Sequence, residues 1–71
     1  MILDFTDKNN VRRIIDTKQI SYALFNPSFE GKPRVVFYFL GGGSLNFTPP
    51  DDWDMDLILA SIVNQMKKRN Q

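Results

Sequence analysis

A run of apolar and aromatic residues in the middle of the chain most constrains the fold. It occupies residues 35–40, follows Pro33 and Arg34, and ends at three successive glycines at 41–43. Val and Phe favour extended backbone, while the flanking proline and glycines limit the run to the length of a strand. Alternate side chains of a strand point to opposite faces. Because both faces of this strand are apolar, the sequence predicts a central strand that needs cover on both sides.

The length and residue types of the chain limit how such a strand can be covered. The chain has 71 residues, no Cys and no His. This length fits a single domain, and a domain so small buries only about 60% of the surface that its unfolded chain exposes. Disulfides and thiolate or imidazole metal sites, which support many small domains, require residues that the sequence lacks. We therefore expect self-association to contribute stability, and we expect no metal or cofactor.

The charge and hydropathy of the chain bear on its surroundings. The net charge of +1 argues against a dedicated polyanion-binding protein, although it is compatible with a local basic patch. No stretch has the length of a membrane span, and the N-terminus lacks a basic region followed by an apolar run. The sequence thus predicts a soluble, cytoplasmic protein with no membrane partner.

The hydrophobic pattern predicts several short strands followed by one helix. The predicted strands cover about residues 1–6, 11–15, 20–25, 34–40 and 44–47, and the predicted helix covers about residues 51–68. Alternation places Ile20, Tyr22 and Leu24 on one apolar face of the third strand. A loop is predicted at 26–33, since this stretch contains two prolines and a glycine. The fold class is therefore α+β: a small antiparallel meander of four to five strands, with one C-terminal helix packed on one sheet face.

The predicted helix carries an acidic start and an apolar stripe. Its first residues include Asp51, Asp52, Asp54 and Asp56. Their position at the positive end of the helix dipole explains them better than a metal site does, because the spacing of a calcium-binding loop is absent. The stripe consists of Met55, Ile58, Leu59, Ile62, Val63 and Met66. At helical spacing these side chains share one face, which we expect to lie on the sheet.

Two groups of residues are predicted to bind other chains. Val36, Tyr38 and Leu40 lie on the face of the central strand opposite Val35, Phe37 and Phe39. One helix covers only one of these faces, and the sequence does not say which; we expect Val36, Tyr38 and Leu40 to mediate self-association. Trp53, Leu57 and Ala60 lie nearly opposite the helical stripe, so we expect them to contact a protein partner. The alternative for Trp53 is that its ring folds back onto residues 48–51 or the loop around Phe29.

The sequence argues against catalysis. It has no His or Cys, and no Ser lies beside an evident base. The three glycines at 41–43 connect two predicted strands, which favours a hairpin turn over a phosphate-binding loop that leads into a helix. We therefore predict a non-enzymatic interaction module that self-associates and binds a protein partner. Its small size suits an accessory or inhibitory protein, such as those of phages and mobile elements.

The alternative function is the binding of single-stranded nucleic acid. The basic residues that would take part are Arg12, Arg13, Lys32 and Arg34. Together with Tyr22 or Tyr38 they could form a sheet face that binds phosphates and stacks bases. Arginines at these positions would equally protect strand edges and cover apolar surface with their stems.

Parts of the sequence resemble small bacterial and phage proteins that combine a meander with a helix, among them the FlbD-like flagellar proteins. The resemblance lies in residues 2–7, residues 15–20 and Tyr22. The glycine that follows the first turn in those proteins is absent, and residues 49–53 depart from their helix start. The resemblance implies a pattern of strands and no function.

Overall fold

The computed structural model describes residues 1–70 and has an α+β fold, which confirms the predicted class. Its strands are β1 (Ile2–Thr6), β2 (Arg12–Asp16), β3 (Ile20–Phe29), β4 (Lys32–Phe39) and β5 (Ser44–Phe47), and its helix is α1 (Met55–Arg69). A short 3₁₀ turn, Thr17–Gln19, connects β2 to β3. The strands form two antiparallel sheets, β1–β2 and β3–β4–β5, where the sequence predicted one meander.

The central strand β4 contributes one face to the core and turns the other away from it. Val35 and Phe37 are completely buried, and they belong to the same buried cluster as Ile58 and Ile62 of α1. Tyr38, on the opposite face, is 41% exposed. The structure therefore identifies the face of β4 that joins the helix in the core, which the sequence left open.

An irregularity in β3 changes which side chains share a face. Ile20 pairs with Phe39, but Tyr22 pairs with Tyr38, so Ser21 is an extra residue in β3. Such a bulge reverses the alternation of side chains on the bulged strand. Ile20 is therefore fully buried, whereas Tyr22 is 56% exposed. The prediction that Ile20 shares a face with Tyr22 and Leu24 is wrong for this reason.

The predicted loop at 26–33 is instead the tip of a β-hairpin, because β3 and β4 continue into it. Only Glu30 and Gly31 connect the strands, and both have positive φ, 52° and 80°. Positive φ at both central residues is the signature of a type I′ turn, whose twist matches that of paired strands. Arg34 lies over the ring of Phe29 near this tip, with its guanidinium carbon 4.3 Å from the ring centroid.

The helix begins later than predicted, at Met55. Its N-cap is Asp54, whose Oδ1 accepts a hydrogen bond of 3.1 Å from the N–H of Leu57. Asp51 and Asp52 therefore precede the helix, separated from it by Trp53 and the cap. Of the predicted stripe, Ile58 and Ile62 are buried. Met55, Leu59 and Met66 are half-buried, and Val63 is exposed.

The 3₁₀ turn connects the start of the chain to the end of the helix. The hydroxyl of Thr17, which is buried, lies 2.9 Å from the carbonyl oxygen of Met1 and 2.6 Å from Oε1 of Gln65. Arg69 donates from Nη1 to the carbonyl oxygens of Lys18 and Ile20, at 3.1 and 3.0 Å. These bonds satisfy groups that would otherwise lack partners and hold the helix against the turn.

Asp7 organises the turn between β1 and β2. Its Oδ1 accepts hydrogen bonds from the N–H groups of Asn9 and Val11, at 2.9 and 3.1 Å, and its Oδ2 accepts one of 2.9 Å from Nε of Arg13. Asn10 has a φ of 63°, which asparagine tolerates. The bond from Val11, with those from Arg13 and Asn9, lowers the pKa of Asp7 below its ordinary value of 3.8. Hydrogen bonds to a carboxylate favour its charged form.

We predict that Asp7→Asn reduces the loss of stability in acid. Because the pKa of Asp7 is lowered in the folded protein, its contribution is complete above the ordinary pKa and is lost as the pH falls through the lowered value. Denaturant unfolding between about pH 6 and about pH 2 should therefore give a flatter profile for the variant. Asp52→Asn, at an exposed position before the helix, is the matched control. Parallel profiles for the wild type and Asp7→Asn would contradict the role of the turn.

Candidate interaction surfaces

The face of β3–β4–β5 that points away from the core carries a contiguous apolar patch, which we call the outer sheet face. Its apolar members are Tyr22, Leu24, Val36 and Tyr38. The pairing register places Tyr22 opposite Tyr38, with ring centroids 5.7 Å apart, and Leu24 opposite Val36. Leu24 is 45% exposed, and Val36 is half-buried. Neighbouring pairs on two strands thus form one surface, and not scattered exposed residues.

The residues predicted to mediate self-association are at or beside this patch. Val36 and Tyr38 lie on the outer sheet face, and Leu40 follows directly after β4 and is 52% exposed. Leu24 was absent from the predicted set, because the bulge that turns it outward has no clear sequence signal. Phe25, which follows Leu24 on β3, packs against the core.

Polar side chains border the outer sheet face. Asn46 pairs with Val36 and Ser44 pairs with Tyr38, so both lie on the β5 side of the patch. Arg34 pairs with Asn26 at the end nearest the hairpin tip. An apolar centre with a polar margin is the arrangement typical of interfaces between proteins.

Two of the four basic residues predicted to contact nucleic acid are in ion pairs on the β1–β2 hairpin. Arg12 bonds both carboxylate oxygens of Asp4, with Nε–Oδ1 at 2.9 Å and Nη2–Oδ2 at 2.6 Å. This pair raises the pKa of Arg12 and lowers that of Asp4, chiefly through the side-chain hydrogen bonds. Arg13 pairs with Asp7. The guanidinium groups of Arg12 and Arg13 therefore already have carboxylate partners.

The other two predicted basic residues, Lys32 and Arg34, lie close to Lys8, which the sequence reasoning missed. Contact with Lys32 is the main cause that lowers the pKa of Lys8; burial adds to this effect, and the carboxylate of Asp51 opposes it. Lys8 and Arg34 both line a cleft of about 460 Å³, together with Arg13. Folding brings Lys8 from the first turn to the β3–β4 hairpin, and no local sequence pattern signals that approach.

Trp53 does not share a helical surface with Leu57 and Ala60. Because the helix begins after the Asp54 cap, Trp53 lies in the preceding segment. Its ring is edge-on to those of Phe5 and Phe47, with centroids 4.8 and 6.0 Å away. The structure thus places Trp53 against the core and leaves Leu57, 63% exposed, on the helix with Ala60.

The arrangement of the described residues bears on the binding of metals and on membranes. Among residues 1–70, no group of three or more acidic side chains is positioned to hold a metal ion. Within the same residues, no helix has the length and apolar character needed to cross a membrane.

Comparison of the chain with protein-family models, with curated proteins and with solved structures found no match in any of the three.

We predict that Trp53→Ala lowers stability much more than Leu57→Ala does. Loss of the Trp53 ring should lower the free energy of unfolding by about 2–3 kcal/mol, less than for a fully buried ring because Trp53 is half-buried. Leu57→Ala should change it by less than about 0.5 kcal/mol, since Leu57 is exposed and both residues suit a helix. Chemical denaturation of both variants measures the difference. Equal effects would contradict the placement of Trp53 against the core.

Proposed function

We propose that this chain is a small non-enzymatic binding module that self-associates and binds a protein partner through the outer sheet face. The observation that supports this most directly is the contiguity of the patch. Tyr22, Leu24, Val36 and Tyr38 occupy two successive cross-strand pairs on adjacent strands. Single exposed apolar residues are common on any protein, whereas a contiguous patch with a polar margin is typical of an interaction site.

The energetic argument for association follows from the exposure of these side chains. Full burial of a large apolar side chain contributes about 1.5–3 kcal/mol relative to leaving it exposed. Tyr22, Leu24 and Tyr38 each have roughly half of their surface still in contact with solvent. A second copy that packs by two-fold symmetry would remove this surface from water on both chains at once. A domain of this size gains proportionally more from such burial than a larger one does.

The non-enzymatic part of the proposal rests on the side-chain inventory. His and Cys, the residues most used for proton transfer and nucleophilic attack near neutral pH, do not occur in the sequence. Two of the acidic residues, Asp4 and Asp7, are committed to ion pairs with arginines. An accessory or inhibitory protein, as found in phages and mobile elements, would need no catalytic group.

We predict that Tyr38→Lys abolishes self-association while the fold is retained. A charge at the centre of the patch would have to be buried in the interface, which is strongly unfavourable without a partner. The wild type should scatter light as a dimer at high micromolar concentration, and Tyr38→Lys should scatter as a monomer.

Val63→Lys is the matched control for that experiment. Val63 lies on the helix and is 46% exposed, close to the 41% of Tyr38, so the two variants add the same charge at sites of similar exposure. The control should remain a dimer. A monomeric wild type, or loss of association in both variants, would contradict the assignment of the outer sheet face.

The binding of single-stranded nucleic acid is a second candidate function. It is favoured by the position of Arg34 on the same face of β4 as Tyr38, and by the approach of Lys8 to Lys32 near that face. Aromatic rings beside unpaired cations are the combination that single-strand binders use.

The salt dependence of binding to a single-stranded oligonucleotide tests this second candidate. Each lost phosphate contact reduces the slope of log affinity against log salt by about 0.7. Lys32→Gln with Arg34→Gln should therefore reduce the slope by about 1.4 if both contact phosphates. The pair Lys67→Gln and Lys68→Gln removes the same charge at the end of the helix and should leave the slope unchanged. Undetectable binding at low salt would eliminate this candidate.

A further inference from the structure

The two sheets leave strand edges that face each other across a cleft. β2 pairs only with β1, and β5 pairs only with β4. Between them are two adjoining clefts of about 460 and 470 Å³, both lined by Arg13. The cleft of about 470 Å³ is lined by β2 together with Ser44 and Leu45. The cleft of about 460 Å³ is lined by Arg13 together with Asn46 and Phe47. We refer to the two together as the β2–β5 cleft.

The hydrogen bonds that flank β2 show which of its backbone groups point into this cleft. In an antiparallel pair, opposed residues alternate between those that exchange hydrogen bonds and those whose N–H and C=O point outward. The backbone N–H of Thr17 donates to the carbonyl oxygen of Met1 at 3.1 Å, and the backbone N–H of Asp7 donates to the carbonyl oxygen of Val11 at 2.9 Å. The opposed pairs Met1/Thr17 and Asp7/Val11 are therefore hydrogen-bonded pairs, and every second pair between them is also hydrogen-bonded. The residues whose backbone groups point away from β1 are Arg12, Ile14 and Asp16.

The same reasoning applies to β5. The backbone N–H of Phe39 donates to the carbonyl oxygen of Gly43 at 3.2 Å, so these two residues form a hydrogen-bonded pair at the start of the β4–β5 ladder. In the register of this ladder, the pairs that contain Ser44 and Asn46 are not hydrogen-bonded. The backbone groups of Ser44 and Asn46 therefore point away from β4. Within residues 1–70, no backbone hydrogen bond joins β2 to β5. Each edge thus offers its N–H and C=O groups to whatever enters the cleft.

The charge at one end of the cleft favours an acidic side chain, whereas Asp16 lines the other end. Lys8 and Arg34 line the end of the cleft near Thr48, and neither makes an ion pair within the described part of the chain. Asp7 at this end is already paired with Arg13. Asp51, which does not line this cleft, also acts on Lys8 and offsets part of its charge, so the excess charge at that end is positive.

We propose that the β2–β5 cleft binds an extended acidic segment of a partner protein, which inserts as a strand and joins the two sheets into one. Main-chain hydrogen bonds to both edges would supply affinity, as in other cases of β-strand addition. An acidic side chain of the segment would lie near Lys8 and Arg34. This inference rests on the proposed protein-binding function and assigns a second surface to it, which adjoins the outer sheet face at Ser44, Asn46 and Arg34.

A synthetic peptide with the sequence Glu-Glu-Thr-Val-Thr-Val, blocked at both ends, is the probe. It is titrated into the isotopically labelled full chain, and amide chemical shifts and hydrogen exchange are followed by NMR. Ile14 and Asn46 should shift and gain protection from exchange, whereas Leu3 and Phe37, in the interior ladders, should change little. A peptide N-methylated at alternate residues should bind about tenfold more weakly, because it loses one or more backbone hydrogen bonds.

Two protein variants localise the binding. Asn46→Pro removes an N–H that points into the cleft, at an edge position where proline is tolerated, and should weaken binding by about tenfold. Asn46→Ala keeps the N–H and should bind as the wild type does. If Asn46→Pro does not fold, the N-methylated peptide alone decides the question. Lys8→Gln should weaken binding of this peptide but not of its Gln-Gln-Thr-Val-Thr-Val analogue.

Three results would overturn the inference. The first is the absence of shifts at Ile14 and Asn46 at millimolar peptide, and the second is equal binding of the N-methylated peptide. The third is protection of these amides by self-association alone, which would make a second copy the occupant. Tyr38→Lys separates this inference from the proposed function. It should lose self-association and still bind the peptide, so the two surfaces can fail independently.

Discussion

The packing of Phe47 against Phe5 holds the two sheets of this protein together. No backbone ladder connects them within residues 1–70, so side-chain contacts must do so. The ring centroids of Phe5 and Phe47 lie 4.8 Å apart, and Phe47 also meets Phe37 at 5.5 Å and Trp53 at 6.0 Å. One ring therefore contacts both sheets and the segment that leads into the helix. Aromatic contacts of this kind bury large areas and add a geometric preference.

This mode of connection explains why an exposed apolar sheet face and a cleft between two strand edges occur in one small molecule. Sheets that meet through side chains alone keep the backbone groups of their facing edges free, and those edges border the β2–β5 cleft. Meanwhile, the core occupies only one face of β4, since Val35 and Phe37 are buried and Tyr38 is not. The other face of β4 therefore remains exposed and forms the outer sheet face. The two surfaces share the bordering residues Arg34, Ser44 and Asn46, but the apolar members of the outer sheet face do not line the cleft.

Sequence reasoning succeeded where the pattern was regular and failed where one residue broke it. The burial of Leu3 and Phe5 follows from simple alternation. The outward position of Tyr22 does not follow from alternation, because Ser21 is an extra residue in β3. The hydroxyl of Ser21 donates a hydrogen bond to the carbonyl oxygen of Tyr38, which is distant in sequence and gives no local signal. The prediction that Trp53 lies on the helix surface with Leu57 failed for a similar reason. Its helical spacing to Leu57 has no meaning once Asp54 caps the helix after it.

The distribution of charge shows why net charge is a poor guide to the surface of so small a protein. The sequence has nine basic and eight acidic residues, which suggests a neutral surface. Folding, however, pairs Arg12 with Asp4 and Arg13 with Asp7, while it draws Lys8 towards Lys32. Two like charges approach each other only if packing elsewhere compensates for their repulsion. That repulsion would be relieved by an anionic group, whether a carboxylate in the cleft or a phosphate beside the outer sheet face. The carboxylate is favoured by the free backbone groups of Ile14 and Asn46, which a peptide strand can pair in regular succession and a nucleic acid backbone cannot.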